Sequence, residues 1–328
     1  MKYLRVLLLP AALSLAAMPW GCSKSSPSSP MTPAAATPTP SPDPTPLPFK
    51  SSFASTSPYK VAVTPAGDYC FVSNFAGTSI VVYGPYGSAV TITAYNNISF
   101  SQLIGVAVDP TGGNLYAADY GSENLYEYSS LGGPVTSWDK YNGTNFAQLF
   151  GVAASPNGEV YTADLNNYQM EAFTASGVTV TKWNIPGRPN YVAVSPVSPY
   201  NVYVTDNSGV SVFAFTASGA PITQWGGMAS LGGTGHGQFV QINALTVGPN
   251  GNVFVADGEG MCFGGGPPSP CSDDFIQEFN PQGAFLAQWG GTGSTSGKFS
   301  NPYGVAAAAN GDIFVADTGN NRIQVFGP

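Results

Sequence analysis

The stretch WGGTGSTSGKFSNPYGVAAAANGDIFVADTGNNRIQVF, residues 289–326, decides the fold. It holds three short apolar runs, YGVAAA, IFVAD and RIQVF, separated by Asn-Gly and Thr-Gly-Asn, which are turn formers. Working outward, the middle run recurs as FVSN (71–74), YAAD (116–119), YTAD (161–164), YVTD (203–206), FVAD (254–257) and FVAD (314–317). Each is preceded by a partner run: VAVTPAGD, GVAVDPTGGN, GVAASPNGE, VAVSPVSPYN, LTVGPNGN and GVAAAANGD. Third runs follow, such as IVVYG, LYEYS, SVFAF, FIQEF and RIQVF. Most units then close on a strand that ends in an aromatic: Trp138, Trp183, Trp225, Trp289 and, in the first unit, Tyr95.

Short strands in groups of four, recurring roughly every 45 residues, are the pattern of a β-propeller. One four-stranded sheet cannot bury both faces, but a ring of them does, because every blade covers its neighbour. The expected fold is therefore all-β, a six-bladed propeller of four-stranded antiparallel blades. The sixth unit stops after its third strand, and FKSSFAS (49–55) precedes the first. Pairing this segment with the last blade closes the ring and removes open edges.

Composition agrees. Only 9% of the 328 residues are charged, against about 25% in an average domain. Gly (40) and Pro (29) are abundant while 43% is hydrophobic, which excludes disorder for the bulk of the chain. The net charge is −8 and the cations of the body, Lys60, Lys140, Lys182, Arg188, Lys298 and Arg322, are scattered. Nucleic acid, which needs clustered cations, is not an expected ligand.

At the N-terminus, Lys2 and Arg5 precede the apolar run VLLLPAALSLAAM (6–18), too short to span a bilayer and suited to a secretory signal. Gly21-Cys22 and a Ser/Pro/Thr tract to residue 48 follow, which resembles a bacterial lipoprotein start. That resemblance implies lipidation of Cys22, with Ser23 favouring the outer membrane. Trp20 and Pro19 depart from the usual pattern, so ordinary cleavage near Ala16 or Ala17, giving a periplasmic or secreted protein, is the alternative. The expected organisation is a signal peptide (1–21), a tether (22–48) and a propeller (49–328).

The quoted stretch resembles an NHL repeat, and residues 49–328 are similar to a six-bladed NHL propeller. The fifth unit follows the pattern apart from an insertion after Asp257; the first four are degenerate, with Asn74 in place of Asp. The resemblance specifies fold more than function, because the family contains enzymes, RNA binders, protein-binding modules and sensors.

Few residues carry candidate chemistry. Asp119, Asp164, Asp206, Asp257 and Asp317 recur at strand ends and could in principle surround a cation. Their spacing tracks the repeat, so each is expected instead to accept N–H bonds of the following turn, with Asp317 bracing Arg322. His236 is the single histidine, which opposes a His-ligated metal and any Ser-His-Asp set. The Gly-rich segments 226–239 and 290–299 lack the strand-to-helix context of a phosphate cradle. As NHL-type crossovers, they imply that Phe239 and Phe299 wedge between blades. Cys70 is expected buried; Cys262 and Cys271 bracket FGGGPPSP in the insertion and are expected to pair, as an exported chain allows.

The long connections 226–241, 258–274 and 290–302 fall on one face of blades four to six. Long loops on a rigid scaffold are where binding residues concentrate. The expected rim comprises His236, Met261, Phe263 and Lys298. The expected function is an exported, tethered, non-catalytic propeller that binds a protein or glycan at the cell envelope, with no cofactor. The alternative is a metal-dependent lyase or lactonase-type hydrolase with its site at the channel mouth.

Overall fold

The computed structural model describes residues 46–84, 89–129, 132–141, 143–206, 210–228, 236–258, 261–262, 269–270 and 274–328. They form six four-stranded antiparallel sheets arranged as blades. Blade 1 runs from its inner to its outer strand through Pro58–Val63, Cys70–Asn74, Ile80–Tyr83 and Ala89–Ile92. Blades 2 to 5 repeat this order, starting at Leu103–Val108, Leu149–Ala154, Pro189–Val194 and Ile242–Val247. Blade 6 has Pro302–Ala307, Ile313–Asp317 and Arg322–Phe326. Its outer strand is Phe49–Ala54, paired antiparallel with Arg322–Phe326 through Phe53↔Ile323 and Ala54↔Arg322. The ring closes as the sequence predicts.

The cores lie between blades, not within them. One cluster joins Phe71 and Ile80 of blade 1 to Leu115 and Tyr126 of blade 2. Another joins Val72 of blade 1 to Phe314 and Ile323 of blade 6 across the closure. Phe239 and Phe299 are fully buried wedges, 5.7 Å from Phe279 and 5.6 Å from Phe326. Phe100 and Phe146 occupy the same place after blades 1 and 2, against Tyr128 and Phe173.

Outer strands interlock through the closing tryptophan of one blade and a glycine turn of the next. Trp138, Trp183 and Trp225 cover Gly177, Gly219 and Gly283. Tyr95 does not share this role. The outer strand of blade 1 ends at Ile92, which covers Gly132, and Tyr95 sits beyond it in a two-rung hairpin, Ala94–Tyr95 with Ile98–Ser99. An aliphatic side chain fills the indole position, so reading the aromatic as the strand end misplaced it. At Gly219, φ is +87° and an added Cβ would lie 2.6 Å from the Trp183 ring. Gly219→Ala is expected to cost about 2–4 kcal/mol, combining left-handed strain with overpacking. Urea midpoints check this; a loss under about 0.5 kcal/mol, the range of neutral surface changes, would contradict the interlock.

Long crossovers are not confined to blades 4 to 6. Segment 93–102 and segment 139–148 also carry hairpins, the second being Lys140–Tyr141 with Thr144–Asn145. Among the described residues the one helical turn is Thr318–Asn320, and no helix is long and apolar enough to cross a membrane.

Candidate functional site

Every inner strand begins with a register irregularity, between Pro58 and Val61 in blade 1 and between Pro302 and Gly304 in blade 6, for example. Such bulges re-aim side chains. Here they mark the upper mouth of the channel, where the inner strands start. At the third position Gly105, Gly151 and Gly304 let the neighbouring strand approach; a Cβ would lie 2.6–2.7 Å from the carbonyl oxygens of Phe150, Asn190 and Tyr59. Blades 1 and 4 carry Lys60 and Tyr191 at this position instead.

Aromatic rings surround much of this mouth. Tyr59 and Tyr303 are 5.4 Å apart, and Phe75 lies 5.3 Å from Tyr59 and 5.7 Å from Tyr303. Phe150 stands 5.5 Å from Tyr191 and 5.7 Å from Tyr120. Phe75, directly after the second strand of blade 1, is 57% exposed, while the other rings are half-buried. Asn190 and Asn243 complete the circle from blades 4 and 5; both are buried, and Asn190 Oδ1 and Asn243 Nδ2 have no partner among the described residues.

Lys60 lies at the centre. Only 6% exposed, it donates from Nζ to the carbonyls of Asn243 (2.5 Å) and Tyr303 (2.7 Å). The same nitrogen lies 3.8 Å from the Tyr191 ring centre and 4.4 Å from that of Tyr59, within cation–π range. No carboxylate partners it among the described residues. Burial holds the Lys60 ammonium well below the usual lysine range. Burial also raises the Tyr59 and Tyr191 hydroxyls, and the two influence each other.

The strand-end carboxylates do other work. Asp119 accepts from Ser101 N and Gln102 N, Asp164 from Ala147 N, Asp257 from Val240 N and Gln241 N, and Asp317 from Ser300 N. These donors belong to the preceding crossover, so the expectation that each carboxylate serves mainly the following turn is corrected. Gly121 N on Asp119 and the Asn167 side chain on Asp164 add the expected turn bonds. The wedge residue precedes these donors directly, so each carboxylate clamps the crossover that buries it. Asp317 also takes Arg322 Nε at 2.7 Å, the expected brace. Asp206 stands beside Gly187 in the crossover before blade 4. Among the described residues no three His, Cys, Asp or Glu side chains are grouped to hold a metal ion.

Of the predicted rim, the side chains of His236 and Lys298 are described. His236 is exposed and stacks on Phe285 at 4.3 Å, at the first residue of the outer strand of blade 5, hence on the circumference. Lys298 Nζ folds back onto the Gly290 carbonyl at 2.7 Å. The insertion forms a two-rung hairpin, Met261–Cys262 with Ser269–Pro270. Phe263 and Cys271 lie outside the described residues, as does Cys22, so the disulfide and the lipid site remain expectations from sequence. Cys70 is buried and its thiol is pushed up by that burial.

The fold and the mouth define a six-bladed β-propeller carrying an NHL repeat, whose family model matches residues 299–326. The rat peptidylglycine alpha-amidating monooxygenase is 35% identical over 100 residues, 29% of this chain and 9% of that protein. The Xenopus laevis peptidyl-glycine alpha-amidating monooxygenase B is 34% identical over 106 residues, 30% of this chain and 11% of that protein. The chain thus matches about a tenth of the length of these relatives. Among solved structures, a gluconolactonase of Xanthomonas campestris superposes with a TM-score of 0.60 at 14% identity, covering 84% of this chain and 88% of that one. The virginiamycin B lyase of Staphylococcus aureus gives 0.56 at 12% identity, covering 86% and 100%. At these identities the likeness shows fold alone.

Proposed function

We propose that the chain is a non-catalytic recognition propeller whose upper channel mouth binds a neutral glycan. The observation that carries this is the aromatic collar of Tyr59, Phe75, Tyr120, Phe150, Tyr191 and Tyr303 around the upper end of the channel. Apolar ring faces with a few convergent polar groups are the usual lining of small-ligand sites. Tyrosine offers a sugar both a flat apolar face and a hydroxyl. The unpartnered amide atoms of Asn190 and Asn243 supply further donors and acceptors. A metal-dependent lyase or lactonase would need free donors at the mouth, whereas the carboxylates of Asp119, Asp164, Asp257 and Asp317 are taken by the crossovers.

Export and lipidation at Cys22 belong to the same proposal. In the sequence the tether leads directly into Phe49–Ala54, the outer strand of blade 6. Metabolic labelling with palmitate tests the anchor: label lost in Cys22→Ser supports it, and unchanged label contradicts it.

A glycan array followed by titration tests the site. Tyr59→Ala and Phe75→Ala should each weaken the retained glycan about tenfold, or about 1.4 kcal/mol. Unchanged affinity in both variants, or capture of proteins but no glycan, overturns the proposal.

A further inference from the structure

The channel continues beneath Lys60. A chamber of about 60 Å³ is roofed by Lys60 and Tyr191 and walled by Gly105, Gly151 and Gly304. One aliphatic residue per blade, five valines and Leu245, lines both this chamber and a wider well of about 420 Å³ below it. The well is walled by the last inner-strand residues and by the prolines of the following turns, Pro65, Pro110, Pro156, Pro196 and Pro249. It opens on the face opposite the collar. The charged residue in its lining is Asp109, whose carboxylate caps its own turn through Thr111 N and Gly113 N.

The lower channel is thus an apolar well closed at its blind end by Lys60 and Tyr191. An ammonium has three N–H donors. Two of those on Lys60 reach carbonyls, and the third faces tyrosine rings. A buried charge without a counter-ion is costly, and a partner of opposite sign relieves that cost. Water-borne inorganic anions would have to cross the aliphatic well without compensation. An anion carrying its own alkyl chain would bury that chain against the valines and prolines while its head neutralises the amine.

We propose that the lower channel binds a single-chain amphiphilic carboxylate, with the alkyl chain in the well and the head group on Lys60. This site meets the collar at Lys60 and Tyr191 but lies beneath them and is read with a different ligand, so the loss of carboxylate binding and the loss of glycan capture are distinguishable.

The test uses the full chain carrying Cys22→Ser, so that it bears no lipid of its own, with monomeric dodecanoate as probe. Dodecanol and dodecyltrimethylammonium are the controls, and binding is read by calorimetry and native mass spectrometry. One equivalent of dodecanoate should bind about tenfold more tightly than dodecanol, with the trimethylammonium weakest. Lys60→Met should abolish the preference for carboxylate over alcohol while still binding the alcohol. Ala307→Trp, which obstructs the well, should remove both ligands while circular dichroism remains unchanged. The proposal is overturned if dodecanoate shows no stoichiometric binding, if Lys60→Met keeps the preference, or if folded Ala307→Trp binds undiminished.

Discussion

Glu171→Gln is expected to stabilise the propeller, and increasingly so as pH rises from about 5 to about 9. Glu171 is 3% exposed in the third strand of blade 3, two residues from the pairing partner of Asp164. Burial raises its carboxyl to about 8, with the Asp164 charge adding to the shift and Lys182 opposing it. The folded state therefore holds a proton that the unfolded state releases near 4.5. Stability falls as pH rises through that window, and the full penalty applies above about pH 8, of the order of 5 kcal/mol.

Blades 5 and 6 carry glutamine at the equivalent register. Gln277 donates to Asp257 Oδ2 and Gln238 O and accepts from Gly237 N. Gln324 does the same with Asp317 Oδ2, Lys298 O and Gly297 N. The amide supplies the donor that a neighbouring carboxylate wants, with no charge to bury. Urea midpoints at pH 5 and pH 9 should diverge between wild type and variant; parallel curves would contradict this account of Glu171.

Asp317→Ala should be the most damaging strand-end substitution, at about 3–5 kcal/mol. This carboxylate is fully buried and accepts from Ser300 N, Asn320 Nδ2, Arg322 Nε and Gln324 Nε2. Removing it leaves the Arg322 charge without its partner in the last blade. Asn74→Ala, at the matching place in blade 1, should cost about 1 kcal/mol, because Asn74 is neutral, partly exposed and chiefly caps Thr78 N and Ser79 N. Denaturation of both variants decides the matter. Equal losses would show that the carboxylate network does not set the scale. Arg322→Met combined with Asp317→Ala should recover part of the loss, since the uncompensated charge goes with it.

The framework was legible because it repeats. The FVAD endings, the tryptophans at outer-strand ends, the Phe239 and Phe299 wedges and the closing strand 49–54 all follow from one aligned line. The mouth was not legible for the converse reason. Tyr59, Ile104, Phe150, Asn190, Asn243 and Tyr303 share one register position and differ in chemistry, so aligning repeats averages the site away. Lys60 left a signal, a charge inside the apolar strand PYKVAV where other blades carry Gly105, Gly151 and Gly304, but only the ring shows that its amine crosses to blade 5. Loop length pointed to blades 4 to 6, whereas hairpins within segments 93–102 and 139–148 give the other blades substantial crossovers too.

Hydrogen exchange of the full chain, with and without the glycan retained on an array, tests the central claim most directly. Protection should concentrate at the starts of the inner strands, around Tyr59, Tyr191 and Tyr303, and in the turn that carries Phe75. Protection confined to segments 226–241 and 258–274, with the inner-strand starts unchanged, would place recognition on the circumference and contradict the assignment of the mouth.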